Sequence, residues 1–142
     1  MNFPIFFEPI TELNILSILF WYFVFLVSAG LATSFVIQEQ TTTDDFSLTE
    51  VAFAGPLEEM LFRGLPIGIS ITLGLDMMQT VVLLLIANGI WAGSHTRSKS
   101  AAVFTFVFGI FLTRFWMEGF DGLWWMAILI HSLHNILVVS FE

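Results

Sequence analysis

The sequence predicts an all-α fold, a polytopic transmembrane helix bundle of about five spans. Hydrophobic residues make up 57% of the 142 residues and charged residues only 11%, whereas roughly a quarter of a soluble domain is charged. The apolar residues are gathered into long runs with few or no charges, as a bilayer requires. Strand-like alternation of apolar and polar residues is missing, and lipid demands that backbone groups pair internally, which leaves helices.

Residues 13–37 hold no charge and are long enough to span. The segment that follows, QEQTTTDDFSLTE, is polar and rich in Thr and Asp, as a solvent-exposed loop is. A second span covers about 49–74 and contains GPLEEMLFRG; a third covers about 77–95. TRSKS turns the chain into a fourth span at about 101–117, and EGFDG turns it into a fifth at about 123–140. Residues 1–48 thus form an N-terminal transmembrane helix with an acidic loop, and residues 49–142 form a helical core. Arg97 and Lys99 are the basic residues in a loop, and they place that loop in the cytoplasm. The N-terminus is then outside and the C-terminus inside. The start, MNFPIFFEPITE, has acids where a cleavable signal would carry basic residues, so none is expected.

Composition excludes several functions. Cysteine is absent, which removes disulfides, thiolate metal sites and cysteine nucleophiles. Twelve Asp and Glu face four Lys and Arg, a net charge of −8 that makes nucleic acid an unfavourable partner. The excess acid fits either a salt-adapted source or chance composition of short loops. The expected setting is the cell membrane, crossed several times, with lipid as the first partner.

Against that background Glu58, Glu59 and Arg63 stand out. A charge at a helix centre costs about 2.5–3.5 kcal/mol on insertion scales, so three in one span need compensation. Glu59 and Arg63 are four residues apart, in the favourable order, and read as a structural ion pair. Glu58 lies about 100° away around the helix with no local partner, and reads as the functional carboxylate. Asn88, Trp91 and His95 share one face of the third span, and His131 and Asn135 share one face of the fifth. Glu58 and His131 each lie about nine residues, or roughly 13 Å, from the cytoplasmic end of their spans. Asn135 is shallower and His95 is at the mouth. Polar residues of three antiparallel helices therefore fall in the same half of the membrane and predict one polar cavity. There a carboxylate and an imidazole can hold and deprotonate water, while a second imidazole and a carboxamide can donate to an oxyanion.

Other polar and bulky residues have plainer readings. His134 reads as helix surface or a hydrogen-bond partner of the site, and Asn88 as a helix–helix hydrogen bond. Trp91, Trp116, Trp124 and Trp125 read as packing or interface anchors. Arg114 reads as snorkelling from a span end. Gly64, Gly68 and Gly109 read as points of close helix approach.

EEMLFR is E-E-x-x-x-R, WAGSH is similar to F-x-x-x-H with Trp91 in the aromatic slot, and HSLHN is H-x-x-x-N. In this order, on three hydrophobic spans, the motifs resemble the CPBP family, the CAAX proteases and bacteriocin-processing enzymes also called Abi. The resemblance covers about residues 50–140. It implies an intramembrane endopeptidase acting on a membrane-associated peptide or protein, with prenylated CAAX tails as the family's best-known target. Carried over, Glu58 and His95 activate water, His131 and Asn135 stabilise the oxyanion, and Glu59 and Arg63 support them. It implies no bound metal ion, with zinc held by His95, His131 and Glu58 as the second reading. The chain has one helix before the first motif where many relatives have more, which leaves open whether it acts as a homo-oligomer. A non-catalytic scaffold or bacteriocin-immunity protein of the same fold, and a proton relay, are the alternative functions. H-E-x-x-H, G-x-S-G and G-x-G-D are all absent, which argues against other intramembrane protease plans.

Overall fold

The computed structural model describes residues 18, 20, 22–24, 48–95 and 99–140. Helix α1 spans Leu48–Glu59 and runs through a π-helical turn, Met60–Gly64, into α2, Leu65–Leu73. Helix α3 is Met77–Ser94, α4 is Lys99–Trp116 and α5 is Trp124–Ser140. A 3₁₀ turn, Gly119–Asp121, joins the last two. The described residues are helical with short connections and hold no strand. Most of the predicted first span and its acidic loop, and Arg97, lie outside the described residues.

The predicted second span is continuous but not uniform. Pro66 has no N–H to return to the carbonyl four residues back. Just ahead of it the helix widens, and the Leu65 N–H reaches the carbonyl of Met60, five residues back. Such wide turns are rare and gather at functional sites. Helix α2 stops at Gly74, whose φ of 64° is left-handed, and the Leu75 N–H closes on the Ser70 carbonyl at 2.9 Å. Asp76 then starts α3 with a capping box. Its side chain accepts from the Gln79 N–H at 2.8 Å, while the Gln79 side chain accepts from the Asp76 N–H at 2.9 Å. Asp76 thus has a structural task at the span edge.

Helix α1 packs on α5, and α3 packs on α4. At Gly55 the backbones nearly touch; a Cβ there would sit 3.0 Å from the Ser132 nitrogen. The core between the helices is built from Leu84, Trp91, Phe108, Leu112, Phe115, Trp116 and Ala127. Tyr22, from the N-terminal part, places its ring 6.0 Å from Phe111 of α4.

Polarity runs opposite to that of a water-soluble bundle. Phe53, Leu57, Leu61, Leu65, Ile69 and Leu73 are exposed at every fourth position along α1 and α2. Met78, Val82, Ile86 and Ile90 do the same on α3, and Trp125, Leu129 and Leu133 on α5. Residues four apart share a helix face, so α1 with α2, α3 and α5 each turn an apolar stripe outward. Glu59, Arg63, Asn88 and His131 are buried. Two helices, α3 and α4, are long and apolar enough to cross a membrane.

Two expectations are corrected here. Arg114 is buried near the end of α4 and does not snorkel. Gly68 has open space where a side chain would point, so it does not mark a close approach. Gly64 and Gly109 do: a methyl on Gly64 would press on the Trp116 ring, and one on Gly109 would collide with Asn88 and Arg63.

Candidate active site

Glu58 and Glu59 end α1 side by side, and helical rotation sends them to different surroundings. Glu59 points into the bundle and is fully buried with its partner Arg63. Its Oε1 accepts from Arg63 Nη1 at 2.9 Å and from His131 Nδ1 at 3.0 Å; its Oε2 accepts from Trp116 Nε1 at 2.9 Å. Glu58 keeps 27% of its side chain exposed. Its Oε2 accepts from Trp91 Nε1 at 2.8 Å and lies 3.4 Å from His131 Nε2. Glu58 therefore has partners from two other helices, which its sequence neighbourhood gave no sign of.

Arg63 is held on three sides. Besides Glu59, its Nη2 donates to Asn88 Oδ1 at 2.7 Å, and the guanidinium carbon lies 4.1 Å from the Trp91 ring centroid. A cation over an indole face gains electrostatically when both are desolvated. Asn88 uses its other end to donate to the Phe106 carbonyl of α4 at 2.8 Å, so it ties the π-helical turn, α3 and α4 together. This junction fits beneath Gly109 because that residue has no side chain.

His131 sits between the two carboxylates. A carboxylate accepts, so the Glu59 contact assigns the hydrogen to Nδ1 and turns Nε2 toward Glu58. His95 closes α3, where its Nδ1 donates to the Trp91 carbonyl at 2.9 Å. The Trp91 ring separates the two histidines, edge-on to each, with centroids 5.3 Å from His95 and 5.2 Å from His131. Asn135 is half-buried one turn beyond His131 and takes no part in this hydrogen-bond network. His134 stacks on Phe104 at 5.4 Å, with Phe108 at 4.6 Å, apart from the carboxylates.

The structure thus brings Glu58, Glu59, Arg63 and His131 into one cluster, sets His95 beside it across Trp91, and leaves Asn135 at its margin. Among the described residues no three His, Asp or Glu side chains gather at metal-ligating spacing. Sequence reasoning missed the two indole donors. The available signal was that a buried tryptophan N–H needs an acceptor, and the nearest carboxylates in an apolar span are the ones at 58 and 59.

Residues 46–137 match the profile of the Rce1-like type II CAAX prenyl endopeptidases. No curated protein and no solved structure matches the chain.

Proposed function

The chain belongs to the Rce1-like type II CAAX prenyl endopeptidase family, a membrane-embedded family of CAAX proteases, and from that premise we propose that it cleaves peptide bonds within the cell membrane with Glu58 as general base. The observation that carries this reading is the contrast between two adjacent carboxylates. Glu59 is sealed and fully engaged, whereas Glu58 is partly open and beside a histidine nitrogen. A base must reach its proton, and only Glu58 is placed to meet a water.

In the proposed reaction a water, activated by Glu58 with His95, attacks the scissile carbonyl carbon. Glu58 takes the proton as the C–O bond forms. His131 and Asn135 donate to the developing oxyanion; His131 donates from Nε2 when the ring carries its second proton, because Nδ1–H is committed to Glu59. The intermediate collapses with cleavage of the C–N bond, and the proton leaves on the amine nitrogen. Glu59, locked by Arg63 and Trp116, fixes the ring of His131. The outward apolar stripes support a multi-pass setting in lipid, and the family supports a membrane-anchored peptide as substrate.

The test is cleavage of a lipid-anchored peptide by the protein reconstituted in liposomes, with prenylated and unprenylated versions compared. Glu58→Gln is expected to lower kcat by about 10²- to 10⁴-fold, the usual share of a general base, with the helix content unchanged. Wild-type cleavage by that variant overturns the assignment. The proposed scheme draws on side chains and water alone. Full activity under excess chelator is expected; loss that zinc restores would instead establish the zinc reading with His95, His131 and Glu58.

A further inference from the structure

We propose that Trp91 is a positioning residue for the reaction, holding Glu58 in its productive orientation and setting the distance between His95 and His131; this rests on the reading of Glu58 as the base. Trp91 touches Glu58, Arg63, His95 and His131. Its indole N–H donates to Glu58 Oε2 at 2.8 Å. Its carbonyl receives the Nδ1 hydrogen of His95 at 2.9 Å. Its ring edge meets both imidazoles, and its face lies under the Arg63 guanidinium at 4.1 Å.

The ring is pinned, so it can pin others. Trp91 is buried in the core, packed against Phe62 with ring centroids 6.5 Å apart. Arg63, which caps its face, is itself held by Glu59 and Asn88. The indole therefore has no room to rotate, and its N–H is a fixed donor aimed at one oxygen of Glu58. A carboxylate on a flexible side chain with one oxygen so anchored presents the other for proton abstraction. A phenylalanine in this slot would pack similarly but could not donate.

The matching indole, Trp116, provides the internal control. It donates to Glu59 rather than Glu58, so removing it should disturb the buried pair without touching the Glu58 carboxylate. The experiment replaces Trp91 by phenylalanine and, by nonsense suppression, by β-(3-benzothienyl)alanine, which keeps the bicyclic shape and substitutes sulfur for the N–H. Two readouts are taken in liposomes: kcat and KM on the lipid-anchored peptide, and the Glu58 carboxylate stretch in the infrared spectrum, identified by difference against Glu58→Gln.

Both replacements are expected to lower kcat by about 10- to 100-fold with KM changed less than about twofold, the consequence of one lost charge-assisted hydrogen bond. Both are also expected to shift the Glu58 band, while Trp116→Phe leaves that band in place. The benzothienyl protein decides the matter if the phenylalanine protein folds poorly. Wild-type kcat and an unshifted band in the benzothienyl protein overturn the proposal, provided Glu58→Gln is inactive. A fully active Glu58→Gln protein overturns the general-base reading and this one with it.

Discussion

Glu59→Gln is the sharpest perturbation available, because glutamine keeps the shape of glutamate and changes only charge and donor count. Glu59 accepts three hydrogen bonds, two on Oε1 and one on Oε2. A glutamine has one oxygen to accept and an NH₂ group that only donates. If its oxygen faces Arg63 and His131, its NH₂ meets the Trp116 N–H; if flipped, it meets Arg63 and His131. Each orientation leaves at least one buried donor unmatched, and Arg63 loses its fully buried counter-charge. Breaking a buried ion pair by removing one partner costs about 3–5 kcal/mol, and an orphaned buried donor about 1–3 kcal/mol. These overlap, so about 4 kcal/mol is expected, close to a thousandfold in the folding equilibrium. That is a large part of the roughly 5–15 kcal/mol by which domains are stable. Unfolding in mixed detergent–SDS micelles, followed by tryptophan fluorescence, reads the loss directly. Stability of Glu59→Gln within about 0.5 kcal/mol of wild type would refute the reasoning.

Further outcomes follow from other sites. Gly109→Ala should cost about 1–3 kcal/mol by overpacking the Arg63–Asn88 junction, read in the same unfolding assay. Asp76→Ala should cost about 0.5–2 kcal/mol by removing the cap of α3, with no change in the Glu58 infrared band. Ile86→Lys puts a charge on the exposed apolar stripe of α3; the inserted fraction of that helix in a glycosylation-mapping assay should fall by an amount equivalent to about 2.5–3.5 kcal/mol.

Helix positions were legible in the sequence because lipid leaves few options. The span expected at about 77–95 is α3, Met77–Ser94. The Glu59–Arg63 pair was legible too, since four-residue spacing is a local relation. What distance along the chain hides was not legible. A buried indole N–H asks for an acceptor, but WAGSH and TRFWM do not say which carboxylate each takes: Trp91 reaches back 33 residues to Glu58, and Trp116 reaches Glu59 across 57. The placement of His131 between two carboxylates depends on how α5 is rotated against α1, which the close approach at Gly55 sets. Periodicity finds the face of a helix; it does not find which neighbour that face meets. Arg114 was misread for a similar reason: nearness to a span end suggests an escape to water that the packed end of α4 does not provide.

The origin of each Glu partner has a consequence for how the protein is made. The salt bridge of Glu59 lies within one continuous helical segment, so it can close as soon as that stretch of chain has left the ribosome and coiled. Glu58 has no such arrangement: its neighbours Trp91 and His131 are carried by α3 and α5, which are translated later. During synthesis Glu58 therefore waits for neighbours on segments still inside the exit tunnel. The side-chain cluster around Glu58 is complete only when α5 docks, and a nascent chain truncated before α5 cannot possess it.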